Sequence, residues 1–302
     1  MIWMYTVQDE EFKAIDVTSI NQVMEVSRAQ WVWVDVYNPT KEESEIISAL
    51  LGNEPNIVEK IKRRTLNPLN INVKDCILCD YEKVNEYVLV TVPSLFMKEQ
   101  LQMYPIVLAK KKNVLITWGE EDGHSHSTLI KLMIRRLREL VEDGENLNSS
   151  LAIGMLLREI AVATSNVLLS IREEVNSLEE RILENEEKHG VHSVFSLKRK
   201  ITALYRIMVD EKKFMLDVNK KIIPRIKLDE KAKTILDDAI GIIDRGLDLT
   251  DSYNRTLDNM LTLQDLASIH KVEASINYLT IVLVIGTGIL IALEIMGKLG
   301  LH

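Results

Sequence analysis

The sequence has few cysteines and few aromatic residues. Its 302 residues include two cysteines, Cys76 and Cys79, and aromatic residues make up 5% of the chain. The two cysteines form one CxxC on a stretch that alternates like a strand, where residues three apart point to opposite faces. No second CxxC or nearby His pair completes a zinc set. We therefore expect neither metal binding nor redox chemistry at this pair.

Positive charge is also scarce. The 37 Lys and Arg residues are outnumbered by 45 Asp and Glu residues, which gives a net charge of −8. Because nucleic-acid binding requires basic patches, we expect no nucleic-acid partner. The sequence also contains no nucleophile beside a base and no Gly-rich phosphate loop. We therefore expect neither an enzyme nor a bound cofactor.

A secretory signal is a third missing feature. Asp9, Glu10 and Glu11 interrupt any apolar run within residues 1–20, so no n-region, h-region and cleavage site can be recognised. We expect the first 270 residues to lie in the cytoplasm, with the chain held in the plasma membrane near its C-terminus. Lys271 and Lys298 flank the apolar segment on both sides, so the positive-inside rule does not decide the orientation.

The longest uncharged apolar segment lies close to the C-terminus. It runs from Ala274 to Leu293 and contains no Asp, Glu, Lys, Arg or His. A helix of about twenty apolar residues crosses the hydrocarbon core of a bilayer. We therefore predict a transmembrane helix over residues 273–297, followed by a short tail over residues 298–302.

Four polar residues of this segment recur every seven positions. They are Glu273, Thr280, Thr287 and Glu294, and on a helix they lie on nearly one face. A carboxylate that faces lipid costs roughly 2.5 to 3.5 kcal/mol, so such residues usually face a protein interior or a water-filled cavity. The spacing therefore predicts an oligomer in a lipid bilayer. The alternative is that the two glutamates mark the interfacial ends of the span and the threonines bond to their own helix.

Residues 1–120 predict an α/β domain. Thr40 and Glu43 have the spacing of a capping box, and Asn38-Pro39 is a turn signal before it. Strands are predicted at residues 31–36, 76–83, 87–92, 106–109 and 114–118, and helices at residues 40–51 and 55–64. Strands joined by short turns favour a sheet with antiparallel pairs flanked by helices.

Residues 121–272 predict a helical hairpin and a long stalk. Helical periodicity extends over residues 129–140, 149–190 and 196–223, and the last of these helices ends before Pro224. No proline follows, and residues 228–297 are compatible with one helix of roughly 100 Å. Because two partner helices cannot cover a helix of that length, we expect it to pack against copies of itself.

Two segments, which begin at Trp31 and at Glu273, each combine residue types in a fixed order, W-V-D with N-P-T-K-E-E in the first and L-T-I-V in the second. Both segments resemble the CorA family of magnesium and divalent-cation channels. WVWVDVYNPTKEES at residues 31–44 is similar to that family's W-x-D-x-x-x-P-T-x-E-E segment, and EASINYLTIV at residues 273–282 is similar to its N-E-x-x-x-x-L-T-x-x segment. In the second, Glu273 replaces Asn and Ala274 replaces Glu. The likeness covers almost the whole chain. It implies an α+β cytoplasmic domain, a long helical stalk and one transmembrane helix, assembled as an oligomeric, funnel-like channel.

The resemblance also implies roles for individual residues. Family members are pentamers in which the long helix lines a central pore, and an acidic pair between subunits is thought to bind regulatory metal. The implied pore-lining residues are Glu273, Ile276, Thr280, Leu283, Thr287, Glu294 and Gly297. One member of the acidic pair falls at Asp238 and the other near Lys60, where Glu59 or Asp237 would have to substitute.

The sequence departs from the family at the predicted outer end of the pore. The Gly-Met-Asn signature should fall at Gly297, Lys298 and Leu299, so only its glycine is kept, and the family's second span is not in the sequence, which ends at His302. Our first hypothesis is transport of Mg²⁺ or another divalent cation by a homo-oligomer, a pentamer. In it Ile276 and Leu283 form an apolar constriction. The alternatives are a non-conducting membrane-anchored sensor or scaffold and a truncated two-span transporter.

Overall fold

The computed structural model describes residues 1–8, 11–19, 21–22, 31–51, 55–65, 69–70, 79–97, 101–119, 124–184 and 190–298. The strands within these ranges are β1 (Ile2–Gln8), β2 (Glu11–Asp16), β3 (Val32–Tyr37), β4 (Leu69–Asn70), β5 (Asp80–Val84), β6 (Tyr87–Met97), β7 (Leu101–Lys111) and β8 (Val114–Gly119). The helices are α1 (Lys41–Leu50), α2 (Pro55–Thr65), α3 (His124–Glu142), α4 (Ser149–Leu183), α5 (Gly190–Asn219) and α6 (Glu230–Lys298).

The strands form one mixed sheet in the order β2-β1-β3-β8-β7-β6-β5, and β4 pairs with β7 at the side of this path. Strands β3 and β8 run parallel, whereas the other described pairs are antiparallel. The prediction of a sheet with antiparallel pairs flanked by helices is confirmed. The sequence prediction missed β1 and β2, and the predicted start of a strand at Cys76 lies outside the described residues.

Strand β3 is buried on both faces of the sheet. Trp33 belongs to the apolar cluster that extends into the helices α3–α6, and Val34 belongs to a second cluster with Ile47 of α1 and Ile61 of α2. A central strand covered by helices on both sides is expected to be apolar at successive positions, as WVWVDV is.

The Trp-x-Asp element of the first motif is part of this core. Trp33 Nε1 donates to Thr117 Oγ1 at 3.0 Å, and the Thr117 hydroxyl donates to Asp35 Oδ1. All three side chains are buried. The motif therefore joins the parallel strands β3 and β8.

The predicted capping box begins α1. The backbone N–H of Glu43 donates to Thr40 Oγ1 at 3.2 Å, and the backbone N–H of Thr40 donates to Glu43 Oε2 at 2.9 Å. These reciprocal bonds satisfy N–H groups that have no partner within the helix.

The helical part departs from prediction at the hairpin. Helix α4 ends at Leu183 rather than at Gly190, and Gly190 begins α5, six residues before the predicted start at Ser196. A Cβ added at Gly190 would lie 1.6 Å from Gln264 Nε2 of α6. The glycine therefore allows the start of α5 to lie against α6, whereas the sequence prediction treated it as a helix end.

Helix α6 contains 69 residues, which corresponds to roughly 100 Å. Its N-terminal part packs between α4 and α5 and buries Ala232, Leu236, Ile243 and Leu257. Beyond Met260 no described residue of α6 is buried. The predicted α+β domain, long helix and candidate membrane helix are therefore confirmed.

Candidate functional site

Two helices in the described ranges are long and apolar enough to cross a membrane. Helix α4 has a mean hydropathy of 1.5, but 72% of its apolar window is buried. The window in α6 has a mean hydropathy of 2.3, and none of it is buried. Helix α4 is therefore a core helix of the folded part of the chain, and the C-terminal part of α6 is the candidate span.

The predicted pore-lining residues all lie in this part of α6. Thr280 Oγ1 donates to the carbonyl oxygen of Ile276 at 2.8 Å, and Thr287 Oγ1 donates to that of Leu283 at 2.7 Å. The threonines thus bond to their own helix, as the alternative interpretation expected. Because a hydroxyl that donates its proton keeps its lone pairs, these oxygens remain able to accept from water or to bind a cation. Gly297 lies in the last turn of the helix.

Most polar residues of the candidate span share one side of α6, and Ser275 lies on the opposite side. Each residue of an α-helix turns about 100°, so a column with seven-residue spacing drifts by about 20° per heptad. His270 lies three residues before Glu273 and Asn277 four residues after it, and both therefore adjoin this column. We define the polar arc as six polar residues whose positions fall within about 120° of the helix surface, a sector that they share with apolar residues such as Val284 and Ile291. The six are His270, Glu273, Asn277, Thr280, Thr287 and Glu294.

Two members of the polar arc were not identified from the sequence. The seven-residue spacing selects a single column of residues along the helix. Ile276 and Leu283 lie on one flank of that column. His270 and Asn277 occupy the other flank, at the i, i+3 and i+4 positions that meet on a helix surface. A search for polar residues at both spacings would have found them.

His270 and Glu273 are in contact. His270 Nδ1 lies 3.3 Å from Glu273 Oε2, and the side chains are 76% and 62% exposed. The pair directly precedes Ala274, where the uncharged segment begins. It places an imidazole and a carboxylate side by side at one end of the candidate span.

The carboxylates predicted to bind regulatory metal have partners within the chain. Asp238 Oδ2 accepts from Arg158 Nε at 2.8 Å, and Asp237 Oδ1 accepts from Asn219 Nδ2 at 2.8 Å. Glu59 Oε1 accepts from an Arg63 nitrogen at 2.6 Å on the surface of α2. Within the described ranges, no group of three or more His, Cys, Asp or Glu side chains is placed to hold a metal ion. Metal binding by Asp238, Asp237 and Glu59 stays a prediction.

A separate cluster of ionisable groups lies inside the helical bundle. Burial raises the pKa of Glu211 well above its ordinary value, and the nearby Asp210 raises it further. Burial also raises the pKa of the Cys79 thiol, and the negative charges of Glu211 and Asp210 raise it further. The Cys79 backbone N–H donates to Asp210 Oδ2. A thiol held in its protonated form is a weak nucleophile. Cys76 lies outside the described residues.

Known proteins share this fold. The chain is 20% identical over 242 residues to the cobalt/magnesium transport protein CorA of Methanocaldococcus jannaschii, covering 78% of this chain and 70% of that protein. The complete structure of the CorA magnesium transporter from the same organism has a TM-score of 0.70 at 16% identity, covering 93% of this chain and 82% of that one. The structure of the full-length CmaX protein has a TM-score of 0.69 at 10% identity, covering 93% and 81%. At these identities the structural likeness shows the fold.

A family model matches most of the sequence. The model is described as CorA-like Mg²⁺ transporter protein, and it matches residues 28–288, which include strands β3 to β8, the helical hairpin and most of α6. The resemblance seen at residues 31–44 and 273–282 is therefore confirmed, and the chain belongs to the CorA-like Mg²⁺ transporter family.

Proposed function

We propose that the chain transports Mg²⁺ or another divalent cation through a pore formed by the α6 helices of several copies. The observation that carries this proposal is the polar arc, which continues along an otherwise apolar and exposed helix. Membership of the CorA-like family supports it, as does the name of the relative from Methanocaldococcus jannaschii, a cobalt/magnesium transport protein.

The need for several copies follows from the cost of placing the polar arc in lipid. Bilayer hydrocarbon offers no hydrogen-bond partner for the side chain of Asn277, and a carboxylate is costly wherever it faces hydrocarbon instead of the headgroups. Copies that turn this side of α6 toward a common axis remove the polar groups from lipid. The opposite side, with exposed Val282, Ile285 and Ile289, then faces the acyl chains. The family resemblance favours a pentamer.

The pore residues have different chemical roles in this proposal. Glu273 and Glu294 form rings of carboxylates near the two ends, and the hydroxyl oxygens of Thr280 and Thr287 lie between them. Oxygen ligands suit Mg²⁺, which dehydrates reluctantly and is passed most readily with several of its waters. Ile276, Leu283 and Gly297 lie on the flank of this column. The first two form an apolar constriction that closes by excluding water.

We propose the orientation that membership of the CorA-like family favours. The folded part before residue 270 lies in the cytoplasm, and α6 enters the plasma membrane at Glu273. The ion is the substrate, and no other cofactor is proposed.

A regulatory metal at the stalk is a weaker part of the proposal. Asp238 is the carboxylate that the resemblance assigns to such a site, with Asp237 or Glu59 as its partner. Arg158 already lies against Asp238, so a metal would have to displace a cation of the same chain. We therefore expect any Mg²⁺ effect through this position to be weak.

The second candidate function is a membrane-anchored sensor or scaffold that does not conduct. The specific observation in its favour is the sequence Gly297-Lys298-Leu299 where the resemblance expects Gly-Met-Asn. A lysine at that position would repel cations.

Reconstituted transport separates the two candidates. The full chain is inserted into liposomes that contain a fluorescent Mg²⁺ indicator, and Mg²⁺ is added outside. The proposal expects uptake well above that of protein-free liposomes. Uptake at the background level, by protein shown to be inserted, would favour the sensor or scaffold.

A further inference from the structure

We propose that His270 and Glu273 form a binding site for cations that prefer imidazole, such as Co²⁺, Ni²⁺ and Zn²⁺, at the cytoplasmic end of the α6 pore. The site is completed by the same two residues of neighbouring copies. This inference rests on the proposed function, because it uses the α6 pore to bring the copies together. It names the class of cation that this end of the pore selects.

The contact between the two side chains decides which nitrogen binds the ion. His270 Nδ1 lies 3.3 Å from Glu273 Oε2. When Nδ1 carries the proton, it donates to the carboxylate, and Nε2 keeps the lone pair that can bind a metal. Metal-binding histidines usually donate their other ring N–H to a carboxylate or carbonyl, which orients the ring and raises its basicity. His270 is therefore the ligand, and Glu273 is the positioning residue.

The location of the pair brings several imidazoles together. Both side chains are exposed on the isolated helix and belong to the polar arc. One copy supplies a single imidazole, which is too few for a stable site. Copies arranged around an axis supply one Nε2 each at the same height. Cations such as Zn²⁺ and Co²⁺ bind three or four such ligands, with water in the remaining position.

Ligand chemistry sets the preference of this site. Imidazole suits Zn²⁺, Ni²⁺ and Co²⁺, whereas Mg²⁺ takes oxygen ligands and keeps much of its water. Thr280 and Thr287, deeper in the span, offer oxygen only. The His270 ring therefore differs from the rest of the polar arc, since it holds imidazole-preferring cations more tightly than Mg²⁺.

Co²⁺ binding tests the assignment directly. The tag-free full chain in mild detergent is titrated with Co²⁺ at neutral pH and followed by the visible absorption of the bound ion. The wild type is expected to saturate with less than one Co²⁺ per chain and to retain it in excess Mg²⁺. His270→Gln is expected to weaken binding by about tenfold or more, since even loss of an orienting partner costs about 10- to 100-fold in metal affinity.

His192→Gln is the matched control. His192 is an exposed histidine near the start of α5 and is not part of the polar arc, so its replacement should leave Co²⁺ binding unchanged. Glu273→Gln should weaken binding less than His270→Gln. Equal Co²⁺ affinity in wild type and His270→Gln, or displacement of Co²⁺ by equimolar Mg²⁺, would overturn the proposal.

The result is independent of transport. Co²⁺ binding that depends on His270, in protein that moves no Mg²⁺ into liposomes, would retain the metal site and reject the conducting pore. Mg²⁺ uptake with unchanged Co²⁺ binding in His270→Gln would retain the pore and reject this site.

Discussion

Thr164 of α4 donates a hydrogen bond to Glu211 of α5 in the interior of the helical bundle. Thr164 Oγ1 lies 3.2 Å from Glu211 Oε1 and 3.3 Å from Oε2, and both side chains are fully buried. Burial disfavours the charged carboxylate, which raises the pKa of Glu211 well above its ordinary value of 4.5. The bundle that supports the span therefore contains a buried carboxyl group whose pKa is raised by burial.

This pair predicts a pH dependence of stability. Above about pH 4.5 the unfolded chain loses the Glu211 proton while the folded chain retains it. The free energy of unfolding should therefore fall as the pH rises above that value, through the raised pKa of the folded state. Glu211→Gln should remove this part of the fall. Thermal unfolding of the full chain in detergent from pH 5 to pH 8 measures it.

Glu180→Gln is the control for that experiment, because Glu180 is an exposed carboxylate on α4. Its replacement should leave the pH dependence of the wild type unchanged. If Glu211→Gln and the wild type lose stability in parallel over this range, Glu211 does not hold its proton in the folded chain.

Two glycines in the bundle predict opposite effects of a methyl group. A Cβ at Gly154 of α4 would lie 3.0 Å from the backbone oxygen of Ala232 on α6, whereas a Cβ at Gly241 would meet only Arg245 Nη1, at 3.7 Å. Gly154→Ala should therefore destabilise the protein by about 1 to 3 kcal/mol, because two helix backbones must move apart. Gly241→Ala should be neutral or stabilise it by up to about 1 kcal/mol through helix propensity.

Chemical denaturation of the two variants and the wild type measures this difference. Equal unfolding midpoints for Gly154→Ala and Gly241→Ala would show that α4 and α6 are not in close contact at Ala232.

The exposed part of α6 predicts self-association. Beyond Met260 no described residue of the helix is buried in its own chain, and the polar arc is costly in lipid. We expect a homo-oligomer, five-fold, in mild detergent. Light scattering with subtraction of the detergent mass measures the number of copies, and a stable monomer would remove the basis for the pore.

Much of the fold could be predicted from local sequence signals. The capping box at Thr40 and Glu43 and the proline-free helix after Pro224 lie where the sequence places them. Strand β1 was missed because it pairs with β3, which is distant in sequence, and β2 was missed because it is an edge strand in which three of six residues are charged. The start of α5 at Gly190 was missed because it depends on contact with Gln264 of another helix.

The candidate site was predicted only in part for a similar reason. The heptad column is a property of one sequence pattern, so Glu273, Thr280, Thr287 and Glu294 could be identified at once. The role of His270 depends on a side-chain contact with Glu273, and the partnership of Asp238 with Arg158 joins residues of α6 and α4. Such contacts depend on rotamers and on packing between helices, which the spacing of residues does not specify.

The central claim is that the polar arc forms the ion path. Mg²⁺ uptake into liposomes by Thr287→Val and Glu294→Gln tests this claim most directly, with Ser275→Ala as the control. Ser275 lies on the opposite side of α6, and its hydroxyl donates to the carbonyl oxygen of Lys271. We expect each arc variant to change the rate of uptake by about tenfold, which corresponds to roughly 1.4 kcal/mol in the barrier for the passing ion. We expect Ser275→Ala to take up Mg²⁺ at the same rate as the wild type. Equal uptake by all four proteins would contradict the assignment of this side of α6 to the pore.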